Sequence, residues 1–128
     1  MTTAVGMVAE AKGRIENVSP QDAFEESASG EAVLLDVREP VEWERHISGA
    51  VQVPRGLLEF VADPTSSRHR PELDPGRRVI VYCRSGSRSA LATLMLEALG
   101  YERAANLDGG LTAWQEAGLP VAEHHEGI

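Results

Sequence analysis

Cysteine is nearly missing from this chain: Cys83 is the sole thiol in 128 residues. No internal disulfide can form, no multi-cysteine zinc site can be assembled, and an unpaired thiol suits a reducing compartment. Basic residues are also scarce, twelve Lys and Arg against twenty Asp and Glu, for a formal charge of −8. A chain without surplus cations lacks the phosphate-neutralising charge on which nucleic-acid binding depends, and anionic membrane surfaces are poor partners for the same reason. There is no apolar run long enough to cross a bilayer, and the first ten residues lack the basic start and apolar stretch of a secretory signal. Membrane insertion and export are therefore not expected, and the expected location is cytoplasmic. What is present is ordinary globular composition, 42% hydrophobic and 25% charged, at a length suited to one domain.

Residues 1–17 carry Val5, Val8, Ala9 and Ile15 at roughly helical spacing behind Thr2 or Thr3 as N-cap, which predicts an amphipathic helical arm. Ser19-Pro20 followed by Asp22 and Glu25 opens a short helix over about 20–29, which Gly30 ends. Ala32–Asp36, an apolar run ending in an acid, and Arg78–Tyr82, β-branched behind its arginine, both lack polar alternation, the pattern of strands buried on both faces of a parallel sheet. Between them, Pro40 opens a short helical piece over 39–45, residues 50–53 read as a strand stopped by Pro54, and 57–61 as a turn or two of helix. Residues 62–78, with Pro64, Pro71 and Pro75, read as a surface loop. Past Cys83 a serine-capped helix runs from about Ser87 to Leu99, with Leu91, Leu94, Met95 and Ala98 as its apolar stripe and Gly100 as C-cap. A strand over 104–107, a turn at Asp108-Gly109-Gly110 and a helix over 111–117 complete the pattern. Strands alternating with helices specify an α/β domain with a mainly parallel sheet over 18–121, followed by a flexible tail at 122–128. Trp43 and Trp114 are expected in the core. His124 and His125 in the tail are too few to argue for a metal; neither a metal nor another cofactor is expected.

Chemistry concentrates where the second apolar run ends. Cys83 closes a buried strand and is followed by Arg84, Ser85, Gly86, Ser87 and Arg88, a small polar loop that leads into a helix. In open α/β sheets, ligands bind beyond the carboxyl ends of the strands, where helix N-termini offer unpaired N–H groups to anions. A thiolate is the nucleophilic form of cysteine, and a helix N-terminus and nearby cations, here Arg84 and Arg88, are the usual means of favouring it. Gly86 and the serines at 85, 87 and 89 let backbone N–H groups converge as an anion-holding nest. A lone buried cysteine is ordinarily a small core hydrophobe. The charged and polar neighbours of Cys83 are out of keeping with that role.

Four segments together are similar to a single-domain rhodanese: Leu34-Leu35-Asp36-Val37-Arg38-Glu39 with Glu42-Trp43, His46-Ile47-Ser48-Gly49-Ala50, the loop from Cys83 to Arg88, and Asn106-Leu107-Asp108-Gly109-Gly110 with Ala113-Trp114. The resemblance implies the rhodanese-like α/β fold, a central, mainly parallel five-stranded sheet flanked by helices. It also implies a sulfurtransferase in which Cys83 takes a sulfane sulfur from thiosulfate or a similar donor, carries it as a persulfide, and passes it to a thiol or cyanide. In that reading Arg84, Ser85, Gly86, Ser87 and Arg88 cradle the substrate. Asp36 and Arg38 read as a structural pair behind the site. His46 is not needed as a base by a thiolate already ionised, and His69 reads as part of a solvated loop.

Three alternatives stay open beside this reading. A cysteine phosphatase or arsenate reductase also closes a cysteine loop on arginine, but with a longer ring of N–H groups around a tetrahedral oxyanion; only four residues separate Cys83 from Arg88. A regulatory module could keep the fold as a binding surface, and a sulfur carrier would hand its persulfide to a protein acceptor rather than to a small molecule.

Overall fold

The computed structural model describes residues 2–123. Thr3 Oγ1 accepts the Gly6 N–H at 2.9 Å and starts α1, Ala4–Arg14. Strand β1 is Glu16–Val18, and α2, Pro20–Ala28, begins where Ser19 Oγ accepts the Asp22 N–H at 3.1 Å with Pro20 in the first turn. Then follow β2 (Ala32–Asp36), a 3-10 turn at Pro40–Glu42, β3 (Arg45–His46), β4 (Val51–Gln52), a second 3-10 turn at Arg55–Leu57 and α3 (Leu58–Ala62). The remaining elements are β5 (Arg78–Tyr82), α4 (Ser87–Ala98), β6 (Ala104–Leu107), α5 (Gly110–Glu116) and β7 (Ala122–Glu123). Among the described residues no helix is long and apolar enough to cross a membrane.

The main sheet has five strands in the order β1-β6-β5-β2-β4, and every pairing is parallel. Its carboxyl ends therefore share one edge, and the segments that follow β5, β2 and β6 gather there. Strand β5 sits in the middle and is fully buried, as its unbroken apolar run requires. Alternate residues serve opposite layers. Val79, Val81 and then Cys83 pack with Leu58, Leu73 and Leu96 on the α3 and α4 side, whereas Ile80 and Tyr82 pack with Ala23, Leu111 and Trp114 on the α2 and α5 side.

Several local expectations change. Glu16 and Asn17, read as the end of a helical arm, form with Val18 the edge strand β1, paired with β6 from Glu16↔Ala105 to Val18↔Leu107. With three residues and only Val18 buried, it carries no period to detect. Helix α4 is capped by Gly86 in a left-handed conformation (φ 100°), not by a serine side chain. Its deeply buried residues are Ser89, Ala90, Ala92, Thr93 and Leu96, while Leu91, Leu94 and Met95 are half-buried and Ala98 is exposed. Helix α1 packs on α4, so α4 is covered by both the sheet and α1. Residues 39–45 form a 3-10 turn and then the start of β3 rather than one helical piece. Leu73, within the proline-rich loop, is fully buried and anchors that loop to the core. Trp114 is core, whereas Trp43 is only half-buried. Ala122 and Glu123, at the start of the expected tail, pair antiparallel with His46 and Arg45. His124 and His125 lie outside the described residues.

Candidate active site

Cys83 stands at the carboxyl end of β5 with 1% of its surface exposed. Beyond it the chain must reverse into α4 within a few residues. Gly86 makes this possible: at φ 100°, which a side chain would strain, it turns its N–H onto Cys83 Sγ at 3.2 Å. Ser89 supplies two further donors, its N–H at 3.4 Å and its Oγ at 3.3 Å from the same sulfur. Burial pushes the Cys83 thiol pKa up; the Ser89 hydroxyl and the N–H groups of Ser89, Gly86 and Ser85 outweigh it, holding the thiol below its ordinary value. Hydrogen bonds at the helix N-terminus, rather than a touching guanidinium, favour the thiolate.

The loop is held from behind by the segment after β6. Leu111 N–H donates to the Cys83 carbonyl at 2.9 Å and Thr112 N–H to that of Arg84 at 3.0 Å. These contacts require a close approach, because a Cβ on Gly110 (φ 62°) would stand 2.6 Å from the Arg84 oxygen and 2.7 Å from that of Cys83. Buried Asn106 adds a third tie, with Nδ2 donating to the Gly86 carbonyl at 3.4 Å and to Asn17 Oδ1 at 3.2 Å. Residues 106–112 are thus the mount of the Cys83 loop.

On the β2 side, Asp36 and Arg38 are both buried and joined to each other, with Arg38 Nη2 to Asp36 Oδ2 at 2.9 Å. Arg38 Nη2 also donates to the Arg45 carbonyl at 2.8 Å, and its guanidinium lies 5.6 Å from the Tyr82 ring centre. This pair ties the segment after β2 to β5. Arg88 is engaged as well: Nη1 and Nη2 meet Glu42 Oε2 and Oε1 at 2.7 and 2.9 Å. That bidentate contact, with the Glu39 N–H, holds the Glu42 carboxyl down at about 2 although partial burial opposes it.

Of the residues singled out in the sequence, the Cys83 sulfur, the Gly86 N–H and the Ser85 N–H converge. The side chains of Arg84, Ser85 and Ser87 face solvent, Arg88 joins Glu42, and Asp36 joins Arg38. His46 Nδ1 lies 3.0 Å from the Trp43 carbonyl and His69 Nε2 2.6 Å from that of Leu73, both in local contacts. The Ser89 hydroxyl is the group that sequence reasoning passed over. Its signal was position, one helical turn past Gly86, where a side chain on the buried face leans back towards the helix N-terminus. Chemically, a buried sulfur ringed by donors can exist as a thiolate, attack an electrophilic sulfur and hold a second anionic sulfur in the same nest.

Comparison with known proteins agrees with this arrangement. Residues 19–117 match the model of the rhodanese-like domain. A probable adenylyltransferase/sulfurtransferase, MoeZ, of Mycobacterium tuberculosis is 34% identical over 105 residues, which are 80% of this chain and 25% of that protein. The chain thus spans about a quarter of that relative's length. A sulfurtransferase of Allochromatium vinosum is 37% identical over 92 residues, 71% of this chain and 78% of the other. Among solved structures, a protein of unknown function from Rhodopseudomonas palustris, described as a possible tyrosine phosphatase, superposes with a TM-score of 0.86 at 34% identity, covering 94% of this chain and 95% of that one. A parallel sheet in this order, a cysteine nest at its carboxyl edge and a family match running through every strand but β1 and the short β7 make the chain a member of the rhodanese-like domain family.

Proposed function

We propose that the protein is a sulfurtransferase working through a Cys83 persulfide. The observation that carries this reading is the convergence of the Gly86 N–H, the Ser89 N–H and the Ser89 hydroxyl on one sulfur at 3.2, 3.4 and 3.3 Å. In the first half-reaction the Cys83 thiolate attacks the outer sulfur of a sulfane donor. With thiosulfate, the S–S bond to Sγ forms as the bond to the sulfonate sulfur breaks, and sulfite leaves with the electron pair. The enzyme-bound persulfide keeps one negative charge, which the same N–H groups and the N-terminus of α4 stabilise. In the second, a thiolate or cyanide attacks the outer persulfide sulfur and Cys83 leaves as thiolate, the electron count returning to its start. Ping-pong kinetics follow. No cofactor enters either step, and a reducing, cytoplasmic setting in which a lone thiol persists fits the scheme.

The sulfurtransferase names of the M. tuberculosis and A. vinosum relatives support the same reading. The phosphatase description attached to the R. palustris structure is the rival for this chain. Against it stands Arg88, whose guanidinium is occupied by Glu42 rather than open to a phosphate oxygen. The deciding experiment is intact mass after incubation with a sulfane donor, then cyanide and a thiocyanate assay, with Cys83→Ser alongside. Gain of one sulfur by the native protein alone, released as thiocyanate, is the expected result. Loss of phosphate from an aryl phosphate by a protein that takes up no sulfur would overturn it.

A further inference from the structure

Arg88 closes the Cys83 loop, one position before Ser89, whose N–H and hydroxyl meet the Cys83 sulfur at 3.4 and 3.3 Å. A donor anion arriving at Cys83 would therefore feel Arg88 too, were its charge available. It is not: both terminal nitrogens are taken by the two carboxylate oxygens of Glu42. Glu42 is itself fixed. Its Oε2 accepts the Glu39 N–H at 2.9 Å, its own backbone N–H donates to the Glu39 carbonyl at 2.8 Å, and Pro40 begins the turn between them. Arg38, the other guanidinium behind this edge, is matched in the same way by Asp36. The carboxylate that cancels Arg88 thus rides on a clamped turn, not on a loop free to swing aside.

We infer that Glu42 determines donor specificity: by holding Arg88 it withdraws one of the loop's two cations, leaving Arg84 alone to meet a dianionic donor, and so favours organic persulfides over thiosulfate. This rests on the sulfur-transfer reading of Cys83. The persulfide step is balanced without an added cation. Sγ bonds to the outer sulfur of R–S–SH, the original S–S bond breaks with its electron pair going to RS⁻, and the proton stays on the transferred sulfur. One negative charge enters as Cys83 thiolate and one leaves as RS⁻. Thiosulfate instead brings two charges up to a sulfur that is already an anion, and that repulsion needs an opposing charge at short range.

The test compares kcat/KM for thiosulfate and for 2-hydroxyethyl persulfide in the native protein, Glu42→Gln, Glu42→Ala and the double variant Glu42→Gln/Arg88→Gln. The thiosulfate-to-persulfide ratio should rise about tenfold in both single variants, fall back as ionic strength is raised, and return to the native ratio in the double variant. Intact mass after persulfide treatment reports in each variant that the loop still loads sulfur. A ratio that moves less than about twofold in variants that load, or a gain that survives loss of Arg88, overturns the inference and leaves the sulfur-transfer reading standing. If the native protein takes sulfur from neither donor, the reading itself fails and the inference falls with it.

Discussion

Replacing Ser89 by alanine isolates one of the donors on Cys83. The residue is fully buried and its Oγ lies 3.3 Å from Sγ, so truncation removes a hydroxyl and no solvent-exposed surface. A hydrogen bond to a charged acceptor contributes about 1.5–3 kcal/mol net; a soft sulfur shared with two N–H donors belongs at the lower end. Loss of about 1.5 kcal/mol lowers the ratio of thiolate to thiol about tenfold at any pH below the titration midpoint. The sign is fixed: thiolate forms as pH rises, and removing a group that favours the charged form moves the midpoint upward. The assay is ultraviolet absorbance of the thiolate against pH, native and Ser89→Ala, with Cys83→Ser as blank. Alkylation gives a second readout, where a more basic thiolate is intrinsically more nucleophilic; with a Brønsted slope of about 0.4–0.5, a tenfold smaller thiolate fraction leaves the rate about threefold lower. Alanine suits a helix interior, so stability should change by less than about 1 kcal/mol. A midpoint that does not move in a folded Ser89→Ala protein would refute the role given to the hydroxyl and leave the backbone N–H groups as sufficient.

Two further predictions concern the frame around the site. Arg78→Met removes the guanidinium that joins Glu16 in β1 and Glu26 in α2 at 2.7 and 2.9 Å, and should cost about 2 kcal/mol in urea unfolding, less than a fully buried pair because Glu16 is over half exposed; a loss under about 0.5 kcal/mol would show the contacts to be incidental. Gly110→Ala forces a Cβ against the Cys83 and Arg84 carbonyls and should cost at least about 2–3 kcal/mol with parallel loss of sulfur loading, whereas Gly118→Ala, at φ 76° but in open space, should cost about 1 kcal/mol and load normally. Equal effects on loading would mean that the loop does not depend on close approach of α5.

The buried middle of the fold was legible because β2 and β5 announce themselves: Ala32–Asp36 and Arg78–Tyr82 have no polar alternation, and only a strand covered on both faces tolerates that. Capping chemistry was plain at Ser19 and placed to within one residue at Thr3, where one side-chain oxygen meets one backbone donor. The edge was not. Residue patterns alone yield four strands; the fifth, Glu16–Val18, came only with the family resemblance and without a position, since a short edge strand with two exposed residues looks like the end of any helix. In α4, reading Leu91, Leu94, Met95 and Ala98 as the core face missed the residues that are deeply buried, Ser89, Ala90, Ala92, Thr93 and Leu96, because α1 as well as the sheet covers this helix and burial there does not follow side-chain size. At the site, the cysteine and its glycine were visible as a local motif. Glu42 closing on Arg88 spans 46 positions, and no local pattern carries a contact between residues so far apart in the chain.

The bracing of the Cys83 and Arg84 carbonyls by Leu111 and Thr112 has a consequence for the order of events during synthesis. Cys83 leaves the ribosome before the residues that hold its loop exist, and β1, made first, must wait for β6 before it has any partner in the sheet. Until α5 docks, the carbonyls behind the sulfur have no donors to fix the turn, and the thiol behaves as an ordinary one in an unstructured segment. In the proposed scheme its reactivity therefore arrives last, together with closure of the fold, and an unfinished chain does not expose a primed nucleophile. The same dependence runs backwards: a fluctuation that lifts α5 would silence the cysteine well before the sheet comes apart.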